Sequence, residues 1–254
     1  MSDHSEQSTS CESAVEAIRR RHAVRKFSER EVSDETLRGL LELANRSPSG
    51  FNLQPWHFII VRDPVLRNLL SHVALDQRQV SDAPATVVFV SDPSAYKTTY
   101  PKVLKIAVEQ GALSSQAAKR YRNTVRLLFL TGPLNVIGFF KNIGATLHHL
   151  MRPTPKIIAT KSEAGHYVMS QTMLAAATFM IAAKAAGLDT SPMEGFDEYR
   201  LKKLLAIPPR MRVGIIVAVG YAAETGDKVM SVRLPLEEKL SINQFSRSRI
   251  TQKS

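Results

Sequence analysis

The sequence predicts an α+β fold in a single domain. Three short apolar runs rich in β-branched residues, 56–61, 85–90 and 213–219, read as buried strands, and Asp-Pro turns punctuate the first two. The stretches between them are longer and carry helical spacing, so helix outweighs strand. The chain has 254 residues, 44% of them hydrophobic, which suffices for one substantial core, and no repeat or low-complexity linker divides it.

From the N-terminus, residues 1–12 read as a disordered tail, because Met1 to Ser10 is polar and lacks the basic and apolar regions of a secretory signal. Cys11 is the one cysteine. It excludes an intramolecular disulfide, points to a reducing, cytoplasmic location, and in its polar setting suits an incidental surface thiol. The S-x-x-E spacing of Ser13-Ala14-Val15-Glu16 starts a helix over about 13–21. A second helix follows Ser33, with Leu37, Leu40, Leu41 and Ala44 on one face, and stops near Arg46 because Ser47-Pro48-Ser49-Gly50 cannot continue it. Alanines and methionines fill a long helix from Gly165 to a glycine stop at Gly187. The domain body is expected over 13–236, with a helical insertion at about 96–161 and a C-terminal tail at 237–254.

Within the insertion, Lys141 is the one charge between Leu127 and Met151, and basic segments flank the run. Glycines and Pro133 interrupt it, whereas a membrane-spanning helix needs about 20 continuous apolar residues. Two helices that cover an apolar cavity or pack on another subunit fit the pattern, with an interfacial membrane contact as the alternative.

The net charge of +11 and pI near 9.9 favour anionic partners: nucleic acid, acidic lipid or a phosphorylated small molecule. No G-x-G-x-x-G, P-loop or G-x-S-x-G sequence occurs, and the adjacent His148 and His149 have no third ligand at metal spacing, so no metal site is expected. Arg21, His22 and Arg25 concentrate forked donors that suit phosphate. Alone, such a cluster equally describes a solvated surface. The segment Ser47-Pro48-Ser49-Gly50-Phe51-Asn52-Leu53-Gln54-Pro55-Trp56 is a loop of small and amide residues, suited to presenting hydrogen-bond donors before it enters a strand.

These two segments, followed by Gly187-Leu188-Asp189-Thr190-Ser191-Pro192-Met193-Glu194-Gly195-Phe196-Asp197, resemble in order and spacing the three signature blocks of the FMN-dependent nitroreductase superfamily. The resemblance covers roughly 13–92 and 164–236. It implies a nitroreductase-like fold, a central mixed, mainly antiparallel sheet flanked by helices, in an intertwined homodimer. It places Arg21, His22, Ala23 and Arg25 at the phosphate end of FMN, with Arg233 completing the clamp. Pro48, Ser49, Gly50 and Asn52 would reach the cofactor from the other subunit. Pro192, Met193, Glu194 and Gly195 would run beside the flavin ring, with a Glu194 or Gly195 backbone donor near N5 and Gln79 at the pyrimidine side.

Ala23 stands where many members carry serine, and Ser231 where lysine is frequent; each change removes a polar contact worth about 1–3 kcal/mol if buried. The implied activity is hydride transfer from NADH or NADPH, then reduction of a nitroaromatic, quinone-like or related acceptor in ping-pong order. The flavin carries this chemistry, so no dedicated catalytic side chain is expected. Apolar side chains between Leu127 and Met151 would roof the flavin and set acceptor preference. Deiodinating, flavin-fragmenting or dehydrogenating members of the superfamily are further options. Neither nucleic acid nor stable membrane insertion is expected, and a basic nucleic-acid or acidic-membrane binder is the competing class.

Overall fold

A computed structural model of the chain describes residues 13–153, 157–224 and 231–245. The expected N-terminal tail, Cys11 included, lies outside the described residues, and the expected C-terminal tail is described as far as Phe245. Four strands form one sheet: β1 (Trp56–Val61), β2 (Ala85–Ser91), β3 (Asp189–Met193) and β4 (Arg212–Gly220), in the order β1-β2-β4-β3. Every ladder is antiparallel. The parallel component is an isolated bridge between Ala23 and Thr190.

Strand β2 is buried along its whole length, which explains its continuous apolar sequence: both faces of the sheet are covered. Strand β3 escaped the sequence reading because Asp-Thr-Ser-Pro-Met carries little β signal. At an edge, Pro192 costs the ladder no central hydrogen bond.

On one face lie α1 (Ala14–Arg20), α2 (Asp34–Asn45) and the long α9 (Lys161–Ala185), which packs against both and against the sheet. Phe58, Phe89 and Phe179 meet edge to face there, at 5.3 and 5.5 Å between ring centres. Ser13 caps α1 and Ser33 caps α2, each accepting from the backbone three residues on. Helix α9 starts four residues before the expected Gly165. Thr160 and Glu163 form a capping box there, and Gly187 ends the helix at φ +76°. By length and composition α9 alone among the described helices could cross a membrane, yet its Ala175, Ala176, Phe179 and Ala183 are buried in the core. The Lys184–Asp189 ion pair, 2.7 Å, ties its end to β3.

The other face carries α3 (Pro64–Val73), α4 (Arg78–Asp82) and α10 (Glu198–Leu204), over a core that includes Leu70, Val88, Met193, Leu201 and Ile216. A third cluster, around Leu53, Tyr100, Phe129 and Val168, joins the first half of α9 to α5 (Ala95–Thr98), α6 (Tyr100–Glu109) and α7 (Ser115–Phe129). Helix α8 (Val136–His149) follows α7 across a bend of 79°. Gly138 touches the Ala159 carbonyl closely, and Lys141 donates to the Leu127, Leu128 and Ile158 carbonyls at 3.1, 2.9 and 2.8 Å. Burial lowers the Lys141 pKa, with Glu163 opposing. On the side that α8 turns toward the chain, Gly138 is buried and Lys141 and Ala145 are half-buried, and its phenylalanines are exposed.

Candidate functional site

Arg21 caps the C-terminus of α1, and from there the chain is extended, so the arginines bracket a helix end. The Val24 N–H donates to the Thr190 carbonyl at 3.1 Å, and Val24 is buried while Arg25 is exposed. The cluster thus lies along the outer side of β3. Among the described residues neither Arg21 nor Arg25 meets a carboxylate, and His22 turns Nδ1 to the Arg20 carbonyl at 3.0 Å. Beneath them the Thr190 hydroxyl is buried without a hydrogen-bond partner. A buried hydroxyl left unpaired costs about 1–3 kcal/mol, so this is a polar atom awaiting a partner.

Farther along β3, Met193 is buried, Pro192 half-buried, and Glu194 and Gly195 are exposed at the tip. The Gln77 amide donates to the Gly195 carbonyl at 2.8 Å and to Ala74 at 2.9 Å. Left-handed Leu75 and Asp76, φ +59° and +56°, make the reversal that aims it. Among the described residues the Gly195 N–H has no acceptor. Gly195 needs its glycine neither for backbone conformation nor to avoid a clash, since an added Cβ would come no nearer than 3.5 Å to Gln77. Its bare Cα keeps the approach to that donor open.

Gln79, the glutamine singled out in the sequence, is buried on α4. Gln77, two residues earlier, holds the tip, aimed there by the left-handed turn between α3 and α4.

The loop 47–56 packs on α9. Ser47 donates to Thr178 Oγ1 at 2.8 Å, and the Gly50 N–H donates to Gln171 Oε1 at 2.9 Å. A Cβ on Gly50 would collide with the Tyr167 hydroxyl, and burial raises that phenol's pKa, keeping it neutral. Phe51, Asn52 and Gln54 all adopt positive φ, and the Ser49 hydroxyl and the Asn52 amide each accept from Gln54 at 3.0 Å. Such backbone strain clusters where a loop must present groups in one fixed way. Phe51 and Asn52 remain exposed. Beyond the loop, buried Trp56 donates its indole N–H to Asn45 at 2.8 Å.

These segments do not meet within one chain. The loop enters β1 and the arginines flank β3, the opposite edges of the sheet. Three inter-strand steps separate them, about 14 Å. Along α9, Gly50 sits at Gln171 whereas the arginines lie past Ala185, a further offset of roughly 21 Å at 1.5 Å per residue. Arg233 is exposed and donates to the Val232 carbonyl at 2.8 Å, in a segment that also exposes Ser231, Val232, Leu234 and Phe245. One chain therefore unites the arginine cluster with Pro192–Gly195, while the loop stands at the other edge of the sheet.

A cleft of about 970 Å³ opens near the N-terminus of α9, between Tyr96, Phe129, Lys161, Arg210 and Arg212. It contains no residue of the three blocks. Its Arg210 is already engaged by Ser94, at 3.1 Å, and by Asp92.

Comparison with known proteins bears on this arrangement. Residues 18–221 match the family model described as "Nitroreductase family". The NADH dehydrogenase of Thermus thermophilus is 29% identical over 226 residues, covering 88% of this chain and 93% of that protein. YodC of Bacillus subtilis, which carries an NAD(P)H nitroreductase designation, is 26% identical over 225 residues, covering 88% and 96%. A protein of Exiguobacterium sibiricum designated a nitroreductase and solved in complex with FMN superposes with a TM-score of 0.71 at 21% identity, covering 90% and 96% of the two chains.

Proposed function

Because the chain belongs to the nitroreductase family, we propose that it is an FMN-dependent oxidoreductase that takes hydride from NADH or NADPH and reduces nitroaromatic, quinone-like or related acceptors. The observation that carries this reading is the outer edge of β3. Among the described residues, two arginines without carboxylate partners and an unpaired Thr190 hydroxyl stand at its start, and an unpaired Gly195 N–H stands at its end. Five residues of strand give about 16 Å between them, room for a mononucleotide laid along the edge.

In this reading Arg21 and Arg25 neutralise the phosphate, joined by Arg233, and the loss of hydroxyl and amine at Ala23 and Ser231 leaves the guanidinium groups as its main ligands. The Gly195 N–H donates toward N5, and Gln77 fixes the tip that carries it. Bound FMN would supply hydride acceptance and electron delivery. The chain itself would bind and position the cofactor. Donor and acceptor share one open face beside Gly195 and so bind in turn, which gives ping-pong kinetics.

The loop residues Pro48, Ser49, Gly50 and Asn52 require a second copy to reach this edge, and we assign them to the partner in a homodimer. Val15, Ile18, Leu43 and Leu174 expose apolar side chains on α1, α2 and α9, helices that pack together, and an apolar surface of that kind suits a subunit interface.

The test is the absorption spectrum of the purified protein, followed by anaerobic titration with NADH and with NADPH. A flavin band that bleaches with either nucleotide is expected; a colourless protein that takes up no added FMN removes the proposal. Arg21→Ala and Arg25→Ala should each weaken FMN retention by about tenfold or more while the fold persists, since a charge-assisted contact is worth about 1.5–3 kcal/mol.

A further inference from the structure

Helix α8 wears its amphipathicity inside out. Its inward side presents Gly138, Lys141 and Ala145 to the chain, with no large apolar side chain among them. Its outward side carries Val136, Phe139, Phe140, Ile143, Leu147 and Leu150 at helical spacing, with Phe139 62%, Phe140 66% and Leu150 79% exposed. A helix on a water-facing surface arranges these residue types the other way round. The stripe calls for an apolar environment that the chain does not provide.

Charge identifies that environment. From Gln110 to Ser162 the sequence holds eight lysines and arginines and no aspartate or glutamate. Four of the cations, Lys119, Arg120, Arg122 and Arg126, are exposed on α7, directly before the bend into α8. Packing this region on its own copy across a twofold axis would set the α7 cations of one chain against those of the other, which disfavours that pairing. Nucleic acid would match the cations but leave phenyl and alkyl groups against phosphates. An anionic bilayer satisfies both requirements. The fourteen residues of α8 extend about 21 Å, short of the roughly 30 Å hydrocarbon core, so the helix lies along the interface and does not cross it.

We infer that α8 is a lipid-contacting helix, lying in the headgroup region of an anionic membrane with Phe139, Phe140, Ile143 and Leu147 among the upper acyl chains and the α7 cations over the headgroups. The inference is independent of the flavin reading. An FMN-loaded protein that ignores vesicles defeats this one alone, and a flavin-free protein that binds them defeats the other alone.

The test is flotation of the full-length protein with phosphatidylcholine vesicles and with phosphatidylcholine–phosphatidylglycerol mixtures, at low and high salt. Flotation on the mixture, weakened by salt, is the expected result. The double variant Phe139→Glu/Phe140→Glu should bind about tenfold more weakly or worse, because each exposed ring gives up its apolar transfer. Lys119→Gln/Arg122→Gln should lose the preference for the anionic mixture, and this pair, outside the core, decides the matter if the glutamates perturb the circular dichroism spectrum. Absence of flotation, flotation indifferent to both variants, binding of DNA in place of vesicles, or a change of oligomeric state in the phenylalanine variant each overturns the inference.

Discussion

Two glycines of α8, six residues apart, separate packing from propensity. Gly138 lies so near the Ala159 carbonyl that any Cβ there forces the helix away from the chain, whereas Gly144 has nothing within 4 Å. Gly138→Ala should therefore destabilise the protein by about 1–3 kcal/mol, the usual cost of overpacking. Gly144→Ala should stabilise it by about 0.5–1 kcal/mol, because alanine gives up less backbone freedom in a helix. Thermal melts of the two variants should move in opposite directions. The same logic of space explains Gly50 and Gly195, which look alike in the sequence: one accommodates Tyr167, the other keeps a backbone donor accessible.

At the scale of elements, Lys141 is what fastens α8 to the end of α7. Its ammonium serves two of the last carbonyls of α7 and the Ile158 carbonyl. Lys141→Met should cost about 1–3 kcal/mol by removing the donor that these carbonyls share. Burial holds the folded pKa below the ordinary 10.5, so on raising pH the folded chain releases this proton before the unfolded chain does. The unfolded state then binds more protons, and stability rises with pH in the alkaline range below 10.5. Melts of wild type and Lys141→Met across that range should show the rise in the first and its absence in the second. Elements with strong local signals were legible from sequence: β1 matched its expected bounds, β2 ran one residue longer, β4 one residue longer at each end, and the serine caps started α1 and α2. Strand β3 was not legible, because its pairing with β4 overrides a weak propensity. The earlier start of α9 was written in Thr160-Lys161-Ser162-Glu163, a capping box that alanine-rich periodicity overshadowed.

For the whole molecule, the three blocks could be found in sequence and the resemblance implied that the loop serves the other subunit; the strand order adds the physical reason, putting the loop and the arginines on opposite edges of the sheet. A site shared between subunits makes a strong prediction. Chains carrying Arg25→Ala and chains carrying Asn52→Ala should each retain little FMN as homodimers. Unfolded together and refolded, they should form mixed dimers in which one of the two sites has both native walls, and flavin retention should partly return. If mixing restores nothing, both walls belong to one chain. Trp56 gives the molecule a built-in optical label. It is the single tryptophan, held by Asn45 at the foot of the loop. Intrinsic emission therefore arises from one known point in each chain. Energy transfer from that indole to a bound isoalloxazine would serve as a ruler between the β1 edge and the flavin, and would report, during refolding, the moment at which two chains close on each other.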